Sequence, residues 1–445
     1  MFELFALSEQ GQPLADDQLT IQGLTKRLRM QARDVRSGVR ELVVHDLVEV
    51  LKVRLPEGKG ISSVHRLSPQ VLADLQSGSI PLGNHVERRM VLFSGAEFLV
   101  EVTGLPAQRE RASSPDSDKR VSPITPKGRL SFLNRVLLGV LLAHADEFGY
   151  VSGLDSKDLQ ALTGFDANSL KHRIQRLVAL GLIRCVLPGC SSSIFQTSKR
   201  SSSYYLNLNH PGYAGIAHNA VFISFWPGDP PRGPFDLLEQ DVRRVRKRSH
   251  ALLKRPELAF KNYATPEGVL RYLVRAGPSA MSALREIFYR GAAQLLMSSG
   301  FEVVTHDVET TSYLSGLLKS ELQHVPSTGD VRDSVEWLGV LAHFSGVIIK
   351  IANDSRDRLM LLETASFKGL SLCFLPVKKN VFNEVITVLL SKAPGGCTDC
   401  TMVSAYKKGE CDVLPLAQEQ EFDCEIRLRA GLLSPPSKRV TGYKT

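Results

Sequence analysis

Two segments of this chain, 135 residues apart, carry one hydrophobic register. In QARDVRSGVRELVVHDLVEVLKV the apolar residues Ala32, Val35, Val39, Leu42 and Val43 recur at helical spacing, and in FDANSLKHRIQRLVALGLIR so do Ala167, Leu170, Ile174, Leu177 and Val178. Adding 135 to each number in the first set gives the second. The correspondence continues past the helix, where Leu47 and Val48 match Leu182 and Ile183 at the start of a strand-like run. Each set falls on one face of a helix that leads into a strand. A layout repeated at a fixed offset implies two copies of one supersecondary unit rather than a single continuous core.

The flanks give the unit a shape. Asp166 is placed to accept N–H groups at the start of the second helix, and Gly181 closes it. Upstream, LDSKDLQALTGF forms a short helix with Leu159 and Leu162 inward, broken at Thr163-Gly164 by a tight turn. Downstream, LIRCVL and SSYYLNLN form a strand and its return partner, and the intervening PGCSSSIFQTSKRS is expected to be a wing carrying Lys199 and Arg200 near a phosphate backbone. The first copy has a less regular leading helix at Ile21–Arg29, and a shorter hairpin turns at PEGKG, with Lys59 at its tip, and returns through ISSVHRLS.

Opposite the apolar face of the later helix lie Asn168, His172 and Gln175, with Ser169 and Arg176 beside them and Lys171 and Arg173 on the flanks. Arg33, Ser37 and Arg40 hold the matching places in the earlier helix, with Arg36 on its flank. These side chains supply the donors and acceptors that base edges and phosphates demand. Asp34 and Glu41 beside the first set reduce its attraction for DNA; in the second copy Arg176 stands where the first has Glu41. A solvated surface explains His172 equally well when it is taken alone.

These residues resemble the winged helix-turn-helix superfamily, twice, over roughly 14–70 and 130–210. The resemblance implies a three-helix core with a two-stranded wing, whose third helix enters the major groove. Tandem winged helices also resemble plasmid-type replication initiators, in which two such domains bind one repeated DNA element. This chain differs from them in a Pro-, Ser- and charge-rich stretch at 105–128 and in an additional C-terminal unit. The expected fold class is α+β: winged-helix domain 1 over 1–104, a flexible linker over 105–128, winged-helix domain 2 over 129–225 and a C-terminal α+β domain over 235–445.

Charge fits a polyanionic partner without requiring one: 55 Lys and Arg oppose 46 Asp and Glu, a formal +9. In DVRRVRKRSHALLKR seven basic residues form either a phosphate-tracking helix or the solvated face of a linking one. MFELFALSEQGQ lacks the basic and apolar regions of a secretory signal, and the apolar run 136–143 falls short of the ~20 residues of a membrane span. Cytoplasmic location without a membrane partner is expected, and seven scattered cysteines suit a reducing compartment.

In the C-terminal unit Ser279–Ser298 and Asp333–His343 have helical patterns, and GVIIKI, RLMLLET and GLSLCFLPV are expected to be strands of a buried sheet. Cys397 and Cys400 have the C-x-x-C spacing that lets two thiolates bind one Zn²⁺, with Cys411 and Cys424 as further ligands. A second close pair is lacking, so ordinary free cysteines and no cofactor are expected. No Gly-rich loop ends in Gly-Lys-Ser/Thr, and neither H-E-x-x-H nor G-x-S-x-G occurs, so no enzyme is expected. The expectation is a sequence-selective double-stranded DNA-binding protein, a transcriptional regulator or replication initiator, whose C-terminal unit serves a protein partner or self-association. An interaction scaffold and a nucleic-acid-processing enzyme with C-terminal carboxylates stand as alternatives.

Overall fold

The computed structural model describes residues 20–28, 31–54, 61–77, 83–93, 130–213, 216, 219–226, 233–252, 263–274, 276–323, 331–360, 370–376, 384–392, 400–407, 410–416, 419, 422 and 424–434. Helices and strands are mixed. The chain divides into two compact units, one of 1–151, 158–182 and 208–216, the other of 152–157, 183–207 and 217–445. The stretch 105–128 lies outside the described residues.

The helix bounds of the repeat recur at the same offset. Helices α1 (Ile21–Leu28) and α2 (Ala32–Val44) are followed by the antiparallel pair β1 (Val48–Arg54) and β2 (Ile61–Leu67), then α3 (Pro69–Gln76) and α4 (Val86–Phe93). After α5 (Phe132–Ala143) and the two-residue strand β3 (Tyr150–Val151) come α6 (Ser156–Thr163) and α7 (Ala167–Ala179). The bounds of α6 and α7 are those of α1 and α2 moved by 135. Leu24 and Leu159, equivalent by this shift, are both fully buried, as are Val35 and Leu170 to within 2%. Burial of such side chains contributes about 1.5–3 kcal/mol each, which is why the apolar register governs helix placement.

The two helix ends also match bond for bond. Beyond α2, the amides of His45, Asp46 and Leu47 donate to the carbonyls of Glu41, Val43 and Leu42 at 3.1, 3.1 and 2.9 Å. Beyond α7, those of Leu180, Gly181 and Leu182 donate to Arg176, Val178 and Leu177, each at 3.0 Å. Otherwise orphaned carbonyls are thereby satisfied at each C-terminus.

Residues 83–93 do not belong with the first repeat, as the expected boundary at 104 had them. Asn84 donates from its backbone to the Ala143 carbonyl at 2.9 Å and from its side chain to the Ala145 carbonyl at 2.7 Å. The His85 ring bonds the Asp146 carbonyl at 2.6 Å. Arg88 lies 5.9 Å from the Tyr213 ring centre, and Leu92 and Phe93 are buried. Helix α4 is therefore part of the packing around α5. Its eight residues carry too short a period to reveal which neighbour they would choose.

The second unit opens with β4 (Ile183–Leu187), β5 (Cys190–Ser191), β6 (Lys199–Arg200) and β7 (Ser203–Leu206). Strands β4 and β7 pair antiparallel, as do β5 and β6. Next come β8 (Ala220–Trp226), α8 (Pro234–Leu252), α9 (Glu267–Val274), α10 (Pro278–Ser298), α11 (Val308–Glu321) and α12 (Val331–Leu359). Strands β9 (Leu370–Phe374), β10 (Glu384–Lys392), β11 (Cys400–Lys407) and β12 (Glu410–Leu416) precede α13 (Cys424–Arg429). The sheet order is β12-β11-β8-β10-β9, antiparallel except between β11 and β8.

Strand β8, expected within the second winged-helix domain, is thus the centre of this sheet, and its Val221, Phe222 and Ile223 are buried. GVIIKI is not a strand: it lies inside α12. A short apolar run reads alike in a buried strand and a buried helix, and here it continues the helical spacing of Val340, Phe344, Ile348 and Ile351, all buried. Of RLMLLET, Arg358 and Leu359 end that helix and Met360 follows it, and the remainder lies outside the described residues. GLSLCFLPV contains β9 as expected. Among the described residues α12 is the one helix long and apolar enough to cross a membrane by length and composition, and Val340, Leu341, Phe344, Ile348 and Ala352 on it join the unit's hydrophobic core. Phe288 stands edge-on to both Phe235 and Phe344, with ring centres 5.4 and 5.1 Å apart.

Candidate nucleic-acid interface

Helix α7 begins at a well-formed cap. The Asp166 carboxylate accepts from the amides of Asn168 and Ser169 at 2.9 and 3.0 Å, and these bonds, the Ser169 one foremost, hold its carboxyl below the usual range. From this start Asn168, Lys171, His172 and Arg176 are exposed. Ser169 and Gln175 are half-buried.

Arg173 has a different task from the one its flank position suggested. Its Nε donates to Ser169 Oγ and its Nη1 to Asn134 Oδ1 on α5, both at 3.2 Å, and the guanidinium stacks 4.8 Å from the Phe165 ring centre. It binds α7 to α5, and it takes Ser169 with it. Asn134, buried inside a strongly apolar helix, is the partner that sequence reading passed over. A lone polar residue amid FLNRVLLGVLLA was the available signal.

On α2 the matching face is open. Arg33, Arg36, Ser37 and Arg40 are all exposed, and so are Asp34 and Glu41. The acidic neighbours foreseen from the sequence therefore share the surface with the arginines, which lowers the local positive potential relative to α7.

The expected second wing is not free. Between β5 and β6 the chain turns inward, and Ile194 and Phe195 join the core of the second unit. Gln196 donates from its side chain to the carbonyls of Lys319 and Leu322 at 2.9 and 3.0 Å, and Tyr272 OH donates to the Ile194 carbonyl at 2.9 Å. Arg200 pairs with Glu321 at 2.6 Å and stands 3.7 Å from Glu286, with only 16% of its side chain exposed. The guanidinium expected to contact phosphate is thus already paired with two carboxylates of its own unit. Lys199 remains exposed, and Lys59 lies outside the described residues.

The basic run in α8 is likewise partly committed. Arg243 pairs with Glu239, Arg244 with Asp241 at 3.7 Å, and Arg246 donates to the Leu273 carbonyl at 2.9 Å.

Of the expected four-cysteine metal set, Cys400 and Cys411 are placed by strand register. Cys397 lies outside the described residues. Cys400 faces Leu416 across β11 and β12, and Cys411 faces Ala405, so the two cysteines sit five residues apart along the ladder, about 17 Å at strand rise. Cys424 is a half-buried free thiol, and among the described residues no group of three or more His, Cys, Asp or Glu is placed to hold a metal. Comparison with protein-family models, curated proteins and solved structures gives no match to this chain.

Proposed function

We propose that the chain is a sequence-selective double-stranded DNA-binding protein built on two winged helix-turn-helix modules, with α2 and α7 as recognition helices. The observation that carries this reading is the shared geometry of α1–α2 and α6–α7: the second helix of each pair presents a polar, basic face to solvent while its apolar face is buried. A helix exposed in this way can enter the major groove, whose edges distinguish all four base pairs. Asn168 suits adenine, Arg176 or Arg40 suits guanine, and Lys171 and Arg36 suit phosphates.

In this reading the first module has its own hairpin, β1–β2, with exposed Lys52 and Arg66. The second works without a phosphate-contacting wing arginine, because Arg200 is held by Glu321 and Glu286. The larger unit serves a protein partner or self-association, and the protein acts in the cytoplasm as a transcriptional regulator or replication initiator, without catalysis.

The test is selection of a randomised duplex pool by the full-length protein at near-physiological salt. Enrichment of a two-part motif supports the reading. An unenriched pool removes it and favours a protein ligand for the two helices, or metal-dependent cleavage by the larger unit.

A further inference from the structure

The two recognition helices are held differently at their starts. In α7 the Asp166 carboxylate accepts the amides of Asn168 and Ser169. Arg173 then ties the Ser169 hydroxyl to Asn134 Oδ1 on α5 and lies against the Phe165 ring, one residue before the cap. Asn134 is only 8% exposed, so the anchor at the far end of this chain of bonds is a buried one. Ser169 and Arg173 stand one turn apart on the same side of α7. Asn168 and His172 each precede one of them by a single residue, about 100° round the helix.

The register of the repeat shows what α2 has instead. Subtracting 135 puts Gln31 at the place of Asp166, Asp34 at that of Ser169 and Gly38 at that of Arg173. Among the described residues Gln31 makes no side-chain bond to the start of α2. Gly38 offers no side chain to tie the helix to a neighbour, and inside a helix it adds backbone freedom. Bounds and buried positions match, whereas fixation does not.

Base reading is sensitive to that difference. A turn of about 10° about the axis moves atoms at the rim of a helix about 10–12 Å across by roughly 1 Å. A bidentate contact to a base edge does not survive much more, and hence a reading side chain discriminates only as well as the residues behind it hold it.

We infer that the two modules read DNA unequally: α7, fixed by Asn134 through Arg173, discriminates strictly among bases, while α2, with glutamine at its cap and glycine in place of that arginine, tolerates variation in its half-site. This rests on the DNA-binding reading above. Asn134 is then a positioning residue for base reading, acting through Arg173 and Ser169.

The test is selection from a randomised duplex pool by the full-length protein and its variants, with the half erased by Arg33→Ala and Arg40→Ala assigned to α2. The motif is expected to be strict in the α7 half and degenerate in the α2 half. In Asn134→Ala, discrimination in the α7 half should fall by ~5-fold or more, the smaller end of what one good base contact contributes. Affinity for unrelated duplex and discrimination in the α2 half should stay as they were. Asn134→Asp, which keeps an oxygen acceptor for Arg173, should retain the original discrimination. Hydrogen exchange of the full chain supplies a second readout: on addition of the selected duplex, amides 34–38 should gain protection and amides 169–173 much less. Equal stringency in the two halves, equal gains in protection, or an α7 half untouched in folded Asn134→Ala overturns the inference while the DNA-binding reading stands. So does a loss spread evenly over both halves, which marks general destabilisation. If Asn134→Ala does not fold, the two stringencies and the exchange comparison decide. Failure to select any motif removes the DNA-binding reading and this inference with it.

Discussion

Asp46 and Gly181 occupy the same point of the two repeats, just past the ends of α2 and α7, with left-handed φ values of 55° and 73°. Glycine adopts this conformation freely, whereas other L-residues bear a cost of about 1–2 kcal/mol, which Asp partly relieves through local hydrogen bonding. Gly181→Ala is therefore expected to destabilise its unit by about 1–2 kcal/mol. Asp46→Gly should stabilise by a smaller amount, about 0.5 kcal/mol, because added freedom of the unfolded chain offsets part of the relief. Thermal unfolding of the two variants, with shifts of opposite sign, checks both.

The exposed residues of α7 divide into two kinds. Asn168→Ala with His172→Ala should cost about 1–3 kcal/mol against the selected motif and little against unrelated duplex. Lys171→Ala should weaken all duplexes alike and reduce the slope of log affinity against log salt by about one. Equal losses on both kinds of DNA from the first pair would contradict base reading by those side chains. On the other module, Arg33→Ala with Arg40→Ala should erase the second half of the motif.

Arg200→Ala separates a structural role from a DNA contact. Removal of the guanidinium leaves Glu286, 3% exposed at its side chain, and Glu321 without that partner, and a loss of about 1–3 kcal/mol in stability is expected. DNA affinity of the folded fraction should stay as it was. A reduced salt slope with unchanged stability would restore the residue to the phosphate set.

Asp166 gives the start of α7 a dependence on acid. Its carboxyl is held below the usual range by the Ser169 and Asn168 amides, so the cap's contribution is complete above the unfolded value near 4 and is lost as pH falls through the folded one. Protection of the Asn168 and Ser169 amides, taken against their intrinsic exchange rates at each pH, should fall over that acidic window. In Asp166→Asn, which retains an accepting oxygen but does not titrate there, the fall should disappear.

The helix bounds of the repeat and most of its buried positions were legible because a 3.6-residue period recorded them twice, at Val35 and Leu170 or Leu24 and Leu159, although Leu162, expected inward beside Leu159, is 51% exposed. The outward residues were legible only as directions. Helical spacing puts Arg173 on a flank, but its commitment to Asn134 depends on a residue 39 positions away, and Arg200 meets a carboxylate 121 positions away. Local pattern carries no record of such partners. The same limit hid the docking of α4, the membership of β8 in the large sheet and the helical fate of GVIIKI, each decided by a distant apolar surface rather than by its own sequence.

Arg184, one residue into β4, makes the most deeply buried ion pair described. Its Nη1 and Nη2 donate to the two carboxylate oxygens of Glu419 at 2.7 and 2.6 Å, and Nη1 also donates to the Leu432 carbonyl at 3.1 Å. Both side chains are at most 2% exposed, and Ser434 Oγ closes the clasp by donating to the Arg184 carbonyl at 2.5 Å. A pair of this kind adds little net stability relative to apolar residues of similar volume, yet loss of one partner strands the other charge in a low-dielectric site. Arg427, whose guanidinium nitrogen lies 3.9 Å from the same carboxylate, would be stranded as well. Glu419→Ala is therefore expected to cost about 3–5 kcal/mol, and the double change Arg184→Met with Glu419→Leu distinctly less, when full-length variants are compared by chemical unfolding. A double variant as unstable as the single one would mean that the pair holds residues 419–434 against β4 by shape rather than by charge.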